Sequence, residues 1–310
     1  MSLQWKRVAQ VVVGTTGKGL LIENLRINFI VVKTVQANPN PAIIKIYNLN
    51  QDHENQIRYE YTDLILNAGY QDATRLLFRG NIKQVFRYGE GNDYITEIAA
   101  GDGDRDYRTA VMNQTLAAGT TDSHLVDAAV SSFGSTIRGY VNLPDKKRLR
   151  GRVLSGNTRK VLSDLVRQHG AHWSIQDGQV TIVGADAVLP GQAIVLNSES
   201  GLISVPEVNE KGITLKALLN PQLRVGGTIQ LDNNNIKLKV RQGTHKGTKI
   251  KTPKVPVRLD PDGIYKLIKV AHRGDTRGVG SSWESALTCV GLSQPIPQDP
   301  AGVEGTGVVD

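Results

Sequence analysis

Ile82-Lys83-Gln84-Val85-Phe86-Arg87-Tyr88, the run Gly89-Glu90-Gly91-Asn92-Asp93, and then Tyr94-Ile95-Thr96-Glu97-Ile98 read as one long β-hairpin. On both arms β-branched and aromatic residues alternate with polar ones, the period of a strand with one buried face. The Gly-rich link is of hairpin length. A later run echoes it: Lys269-Val270-Ala271-His272-Arg273-Gly274, a loop, and Trp283-Glu284-Ser285-Ala286-Leu287. Each half of the chain thus closes on a hairpin whose second arm opens on an aromatic. The echo reads either as two related β domains or as coincidence between amphipathic hairpins.

Upstream of the first hairpin the same texture holds. Val8–Val13 and Leu20–Val32 are rich in β-branched residues, and Leu25, Ile27 and Phe29 alternate with Arg26, Asn28 and Ile30. Asn38-Pro39-Asn40-Pro41 marks a turn, because each proline fixes φ and biases its predecessor away from helix. Ala42–Tyr47, Leu64–Leu66 and Arg75–Phe78 extend the strand pattern. Gly14-Thr15-Thr16-Gly17-Lys18-Gly19 lacks the spacing of a phosphate loop and has strands on both sides, so it reads as a hairpin.

Between the two hairpins the period changes from two to about 3.6. Thr121 can cap a helix carrying Asp122 in its first turn and Leu125, Val126, Ala129, Val130 and Phe133 on one face. A second helix opens at Asn157 or Thr158, buries Val161, Leu162, Leu165 and Val166, and ends at Gly170. His172–Gln176 and Gln179–Val183 flank Asp177-Gly178, a strong two-residue hairpin signal. Strands resume at Ala193–Leu196, Ile213–Leu219, Thr228–Leu231, Ile236–Val240, Ile264–Ala271 and Trp283–Val290. The expected class is mainly β (β-rich α+β). Two antiparallel tube-like β-barrel domains, 1–115 and 191–292, enclose a small α+β insert at 116–190. A Pro- and Gly-rich tail over 293–310 is expected to be mobile.

Composition bounds the function. Hydrophobic residues make up 39% of 310, aromatics are few and glycines number 32, which suits strands and tight turns. No stretch approaches the ~20 apolar residues of a membrane span, and Met1–Arg7 lacks the apolar core of a secretion signal. Cys289 is the only cysteine, so an internal disulfide and a Cys-based zinc site are excluded. The expected setting is the cytoplasm.

Searching for chemistry yields little. Cys289 sits in the apolar run Leu287-Thr288-Cys289-Val290 and reads as a packing residue. His169 and His172 are separated by the helix breaker Gly170 and read as a helix end followed by a strand. Asp102-Gly103-Asp104-Arg105-Asp106 lacks the twelfth-position Glu of a calcium loop, where Asn113 stands. The three acids read as polar turn residues beside Arg105 and Arg108. No catalytic, cofactor or metal residue is assigned.

The net charge of +8 is local. Lys237–Arg277 carries twelve Lys/Arg against three Asp/Glu, and the rest of the chain sums to −1. Lys246, Lys249, Lys251 and Lys254 lie in a loop, Gln242–Pro256, with no acid beside them. Three readings stay open: a solvated loop, contact with an acidic protein partner, and contact with phosphates. Nucleic acid is not expected, since the loop has no aromatic stacking platform.

Several blocks together resemble the baseplate hub proteins of contractile (myovirus-type) phage tails. They are Ser200-Gly201-Leu202-Ile203-Ser204-Val205-Pro206-Glu207-Val208-Asn209-Glu210-Lys211-Gly212-Ile213, Ala217-Leu218-Leu219-Asn220-Pro221-Gln222-Leu223-Arg224-Val225-Gly226, and Tyr265 through His272-Arg273-Gly274-Asp275-Thr276-Arg277 to Trp283. Ala42–Asn50, Gly101–Asp104 and Asn113–Thr121 agree with them. Architectural roles suit these residues: Asn220-Pro221 as a turn, Gly226-Gly227 as a bulge or close approach, Gly274-Asp275 in the closing hairpin loop. The resemblance implies a homotrimer whose six β domains form a pseudo-sixfold ring in the virion tail baseplate. Its partners would be the tail tube protein, a trimeric spike protein, other baseplate proteins and the tape measure protein. The alternatives from other classes are a basic all-β nucleic-acid-binding protein and a tail-associated hydrolase.

Overall fold

Strand alternation becomes burial in the opening segment: Ala9, Val11 and Val13 face inward while the residues between them are only partly covered. A computed structural model describes residues 6–209, 212–233, 236–238, 244–245, 248–249, 261–278, 282–292, 294 and 296. The chain begins β1 (Arg7–Thr15), β2 (Lys18–Ile22), β3 (Ile27–Thr34) and β4 (Pro41–Tyr47). It continues α1 (Gln51–Tyr59), β5 (Asp63–Tyr70), β6 (Arg75–Glu90) and β7 (Asp93–Gly101). Next come α2 (Asp104–Thr109), β8 (Val111–Leu116), α3 (Asp122–Ser131), β9 (Ile137–Val141), β10 (Arg152–Asn157), α4 (Thr158–Gln168), β11 (His172–Gln176) and β12 (Gln179–Val183). The remainder is β13 (Ile194–Val195), β14 (Glu207–Asn209), β15 (Gly212–Leu218), β16 (Thr228–Gln230), β17 (Lys237–Leu238), β18 (Thr244–His245), β19 (Thr248–Lys249), β20 (Ile264–Asp275) and β21 (Trp283–Gly291).

The protein is mainly β, and its strands pair mostly antiparallel. One large sheet runs β17-β14-β15-β21-β20-β3-β4-β7-β6-β5-β1-β2, with β16 joined to β20 and β13 to β16. The two hairpins that the sequence singles out, β6/β7 and β20/β21, stand on either side of the β3/β4 hairpin. Each carries a register shift near its start, between Ile82 and Gln84 in one and between Leu267 and Lys269 in the other. The first link is tighter than its five residues suggest. Strand pairing reaches Glu90 opposite Asp93, and Gly91 makes the turn with φ 60°.

Three apolar cores form. Val11, Phe29, Ile44, Leu66 and Phe78 build the first, which also takes Leu219 and Trp283 from the last third of the chain. Ile213, Leu215, Tyr265, Leu267 and Cys289 build the second, joined by Val35 and by Ile296 from within the expected tail. The third unites Val126, Phe133, Leu162, Leu165, Trp173, Ile175 and Ile182. Met112 and Leu116 of β8 belong to this third core, and β8 pairs with β10, so the chain leaves the first core before residue 111. Each fully buried large aliphatic contributes roughly 1.5–3 kcal/mol.

Helices α3 and α4 lie where the sequence puts them, and the Thr121 amide donates to His124 Nδ1 at 3.2 Å in the first turn of α3. Helix α1 was not expected. Gln-Asp-His-Glu-Asn-Gln-Ile-Arg-Tyr offers no apolar stripe, and its buried residues are Ile57 and Glu54. Its start is set by Asn50, whose side chain accepts from the Asp52 amide at 2.8 Å. Glu54 is neutralised by Arg58 and Arg87, each at 2.7 Å.

Candidate assembly site

Beside apolar links such as Val35 and Trp283, the three cores are joined by polar residues from strands and turns. Asp177 and Gly178 adopt φ 55° and 80°, the positive values that a two-residue hairpin turn of this kind requires. That turn lands on the main sheet. Both oxygens of the buried Asp102 accept from it, Oδ1 from the Gly178 amide at 2.8 Å and Oδ2 from the Asp177 amide. Lys33 of β3 meets the Asp177 carboxylate at 2.6 and 2.7 Å. Burial, and then the charge of Asp177, push the Asp102 carboxyl up to about 7.

Further bonds close this seam. Asn40 accepts from the Thr34 amide at 2.9 Å and donates to the Ile175 carbonyl at 2.8 Å. Gln176 Nε2 donates to the Thr34 carbonyl at 2.8 Å. Lys266, buried in β20, donates to the Gly184 and Ala185 carbonyls at 3.1 and 3.2 Å, and burial pushes its ammonium down to about 8. His272, fully buried further along β20, bonds Ser285 Oγ through Nδ1 at 2.8 Å. Burial and then the Lys33 charge push it down to about 3.

The reading of Asp102, Asp104 and Asp106 as polar turn residues holds for Asp102, which stands in a turn, and is corrected for Asp104 and Asp106, which lie in α2. All three are buried, and α2 begins at Asp104. Asp106 accepts from the Gly134, Ser135 and Thr136 amides and from both hydroxyls of Ser135 and Thr136. Burial opposes its ionisation, but the bonds from Thr136 and its neighbours prevail and hold it below the usual range. Asp104 faces Lys83 and Arg108. The expectation for Gly274 and Asp275 is also corrected: they are the last residues of β20, opposite Trp283 and Asn28, and not loop residues. Phe29 and Trp283 close over Gly274 so tightly that a Cβ there would lie 2.4 Å from the Phe29 ring. Asp275 receives Arg26 Nη2 at 2.8 Å and the Arg277 and Gly278 amides at 3.0 and 2.9 Å. Although burial opposes it, the Arg26 bond leads in holding Asp275 down to about 2.

Asn220 and Pro221 stand at a turn: the Asn220 side chain accepts from the Gln222 amide at 2.9 Å. Gly226 takes φ 84° and passes Leu189 closely, and its carbonyl accepts from the Leu189 amide at 2.7 Å. Lys246, Lys251 and Lys254 lie outside the described residues. Of the loop's lysines only Lys249 is described, through its backbone, which pairs with Thr244. Cys289 is buried in β21, and burial pushes its thiol up. His169 ends α4 and bonds the buried Asp122 at 2.9 Å, not His172. Among the described residues no cluster of His, Cys, Asp and Glu could hold a metal ion.

Among the described residues, one face of the sheet stays open over β3, β4, β7 and β6. Ile30, Phe86 and Tyr88 are exposed there. Between them Tyr88 donates to Glu97 at 2.9 Å, Lys45 faces Glu97 at 3.5 Å, and Lys45 stands over the Tyr88 ring. Such a mixed aromatic and charged surface on rigid strands suits contact with another protein.

A family profile described as baseplate hub gp41 matches residues 8–236. The chain belongs to that family. No curated protein sequence matches this hub chain. Its fold is similar to the 43 kDa tail protein of prophage MuSo2 from Shewanella oneidensis, at TM-score 0.58 and 9% identity, covering 92% of this chain and 98% of that one. It is similar as well to the tail protein from Neisseria meningitidis MC58, at TM-score 0.55 and 10% identity, covering 93% and 97%. A third likeness is the E. coli c3393 protein, a type VI secretion component described as structurally similar to the T4 tail proteins gp27 and gp5. It has TM-score 0.52 and 12% identity, and the match covers 96% of the hub chain and 76% of c3393. A phage-tail baseplate role therefore rests on the family and agrees with the fold.

Proposed function

We propose that the chain is a non-catalytic hub that assembles as a homotrimer, its two β halves giving a pseudo-sixfold ring between the sixfold tail tube and a trimeric spike. The carrying observation is the pair of long hairpins, β6/β7 and β20/β21, placed on either side of β3/β4 in one sheet. Three chains would present six such hairpins. In this reading the chain divides into a first β unit, an α+β unit beginning near residue 110, and a second β unit from about 191. The polar seam fixes the three units against one another, as a scaffold requires. The open face around Ile30, Phe86 and Tyr88 is the contact offered to a neighbour. The Lys246, Lys249, Lys251 and Lys254 loop meets an acidic surface of an adjoining tail protein. The site of action is the virion baseplate, after assembly in the host cytoplasm.

A ring of three uses head-to-tail contacts that close. Light scattering at rising concentration, with and without the tail tube protein, should give the mass of three chains, and negative-stain images should show threefold rings. A strict dimer, a ring of six chains, or a persistent monomer under both conditions overturns the proposal.

A further inference from the structure

A groove of about 860 Å³ opens where the first half, the α+β unit and the second half meet. Arg75, Leu76, Tyr140, Pro221, Arg224 and Gly227 are among the residues that line it. Its lining includes two arginines and no Asp or Glu, and neither arginine has an ion-pair partner among the described residues. Both are exposed, as is Leu76. Guanidinium groups set over an apolar floor favour carboxylates carried on a chain that can also bury small apolar side chains.

One such chain starts beside the groove. Ile296 is buried in the second core with Val225, and it lines a small pocket together with Val225, Gly226 and Lys266. Arg224 and Gly227 flank Val225 and Gly226 in sequence and line the groove. From 297 to 310 the sequence holds Asp299, Glu304 and Asp310, three valines, and no Lys or Arg. Asp299 follows Ile296 by three residues, a reach of up to ~10 Å, and Glu304 by eight, up to ~28 Å.

We infer that residues 297–310 of the same chain occupy this groove, with Asp299 and Glu304 meeting Arg224 and Arg75. Exposed ion pairs are individually weak, but the anchor at Ile296 makes the encounter intramolecular. Over a short linker that corresponds to an effective concentration in the millimolar range. Weak pairs then suffice to hold a segment that would not bind as a free peptide.

Carbodiimide cross-linking tests this with the full chain. In an Arg75→Lys/Arg224→Lys variant the charge is kept and amines become available to the carboxylates. A co-refolded one-to-one mixture of ¹⁴N and ¹⁵N protein distinguishes same-chain from between-chain products by mass. The expected result is same-isotope cross-links from positions 224 and 75 to Asp299 or Glu304, reduced severalfold in 1 M salt, where the screening length falls to ~3 Å. In Arg75→Glu/Arg224→Glu, Glu-specific proteolysis after Glu304 should run severalfold faster, with the melting temperature unchanged because both side chains lie outside the cores. Mixed-isotope products as the main species would assign the groove to a second copy's segment and overturn the inference. So would the absence of cross-links together with unchanged proteolysis.

Discussion

The Lys33 ammonium lies 2.6 and 2.7 Å from the two oxygens of Asp177, a residue 144 positions further along the chain. Lys33 is 7% exposed and Asp177 21%, so the pair is largely withdrawn from water at the seam between the sheet and the α+β unit. Removing one partner leaves a buried charge, which costs about 3–5 kcal/mol, whereas replacing both with neutral residues costs much less. Asp177→Asn keeps the residue type that tolerates positive φ and removes the charge. It should lower the denaturation midpoint strongly, and Lys33→Met in the Asp177→Asn background should restore most of the loss. A double-mutant cycle on urea midpoints reads the coupling. Additive losses would show that the pair does not hold the seam.

Asp102 makes the same seam sensitive to pH. Its carboxyl is pushed up to about 7 by burial and by Asp177, against an unfolded value near 3.9. Between these values the native state holds a proton that the unfolded state has lost. Its contribution is therefore full below pH ~4, declines as pH rises toward 7, and is flat above. The span corresponds to at most on the order of 4 kcal/mol. The difference in stability between the parent and Asp102→Asn, followed by denaturant titration from pH 4 to 8, should fall with rising pH. A constant difference would refute the assignment.

His272 has the opposite slope. Burial, with Lys33 second, holds its imidazole down to about 3, below the unfolded value near 6.5. The unfolded state binds the extra proton in that window, so the contribution is complete above pH 6.5 and lost as pH falls toward 3. His272→Gln should flatten acid denaturation between pH 6 and 4 while changing little at pH 8. An unaltered acid transition would place the ring in water, contrary to its bond with Ser285.

Most strands and both long hairpins were legible because alternation and turn chemistry are local, whereas β8, β9 and β10 were not read. Asp177-Gly178 announced its turn through residue type alone. What that turn grips was not legible, because Lys33 and Asp102 are distant in sequence and nothing in either residue's neighbourhood names the other. Helix α1 escaped for a different reason: it hides mainly Ile57 and a charge-neutralised Glu54, so no apolar stripe marks it. Asp102, Asp104 and Asp106 read as polar turn residues, because acids are mostly exposed. Their burial depends on amides and cations supplied by other segments. Gly274 was recognised as architectural but put in a loop, since the aromatic rings that demand a glycine there come from Phe29 and Trp283.

Gly274 gives a test of that packing. A methyl group there would meet Phe29 at 2.4 and 2.6 Å and Trp283 at 2.7 Å, and overpacking of a filled core typically costs about 1–3 kcal/mol. At Gly89, near the tip of the other long hairpin, the nearest atom to an added Cβ is 4.0 Å away. Gly274→Ala should therefore lower the melting temperature clearly, and Gly89→Ala should leave it unchanged or raise it slightly. Equal melting of the two variants would mean that the rings can move aside at no cost.

The Lys loop tests the proposed contact with a neighbouring tail protein. Gln242–Pro256 carries four lysines and no acid, and His245 adds charge below about pH 6.5. Ordering such a segment on docking costs conformational entropy, so several charge contacts must act together. A single exposed pair is worth only ~0.2–1 kcal/mol, so any one Lys→Ala change should be almost silent in tail assembly. Changing Lys246, Lys249, Lys251 and Lys254 together to Glu reverses the sign of the whole loop, and its like charges would then repel an acidic partner. Incorporation into tails should fall, with association slowed most at low salt, where screening is least. The melting temperature of the isolated protein should stay near that of the parent, because lysines are almost never fully buried unless paired. Normal incorporation of the fourfold variant would leave the loop as a solvated segment with no partner. A large drop in melting temperature would instead give its lysines a role within the fold.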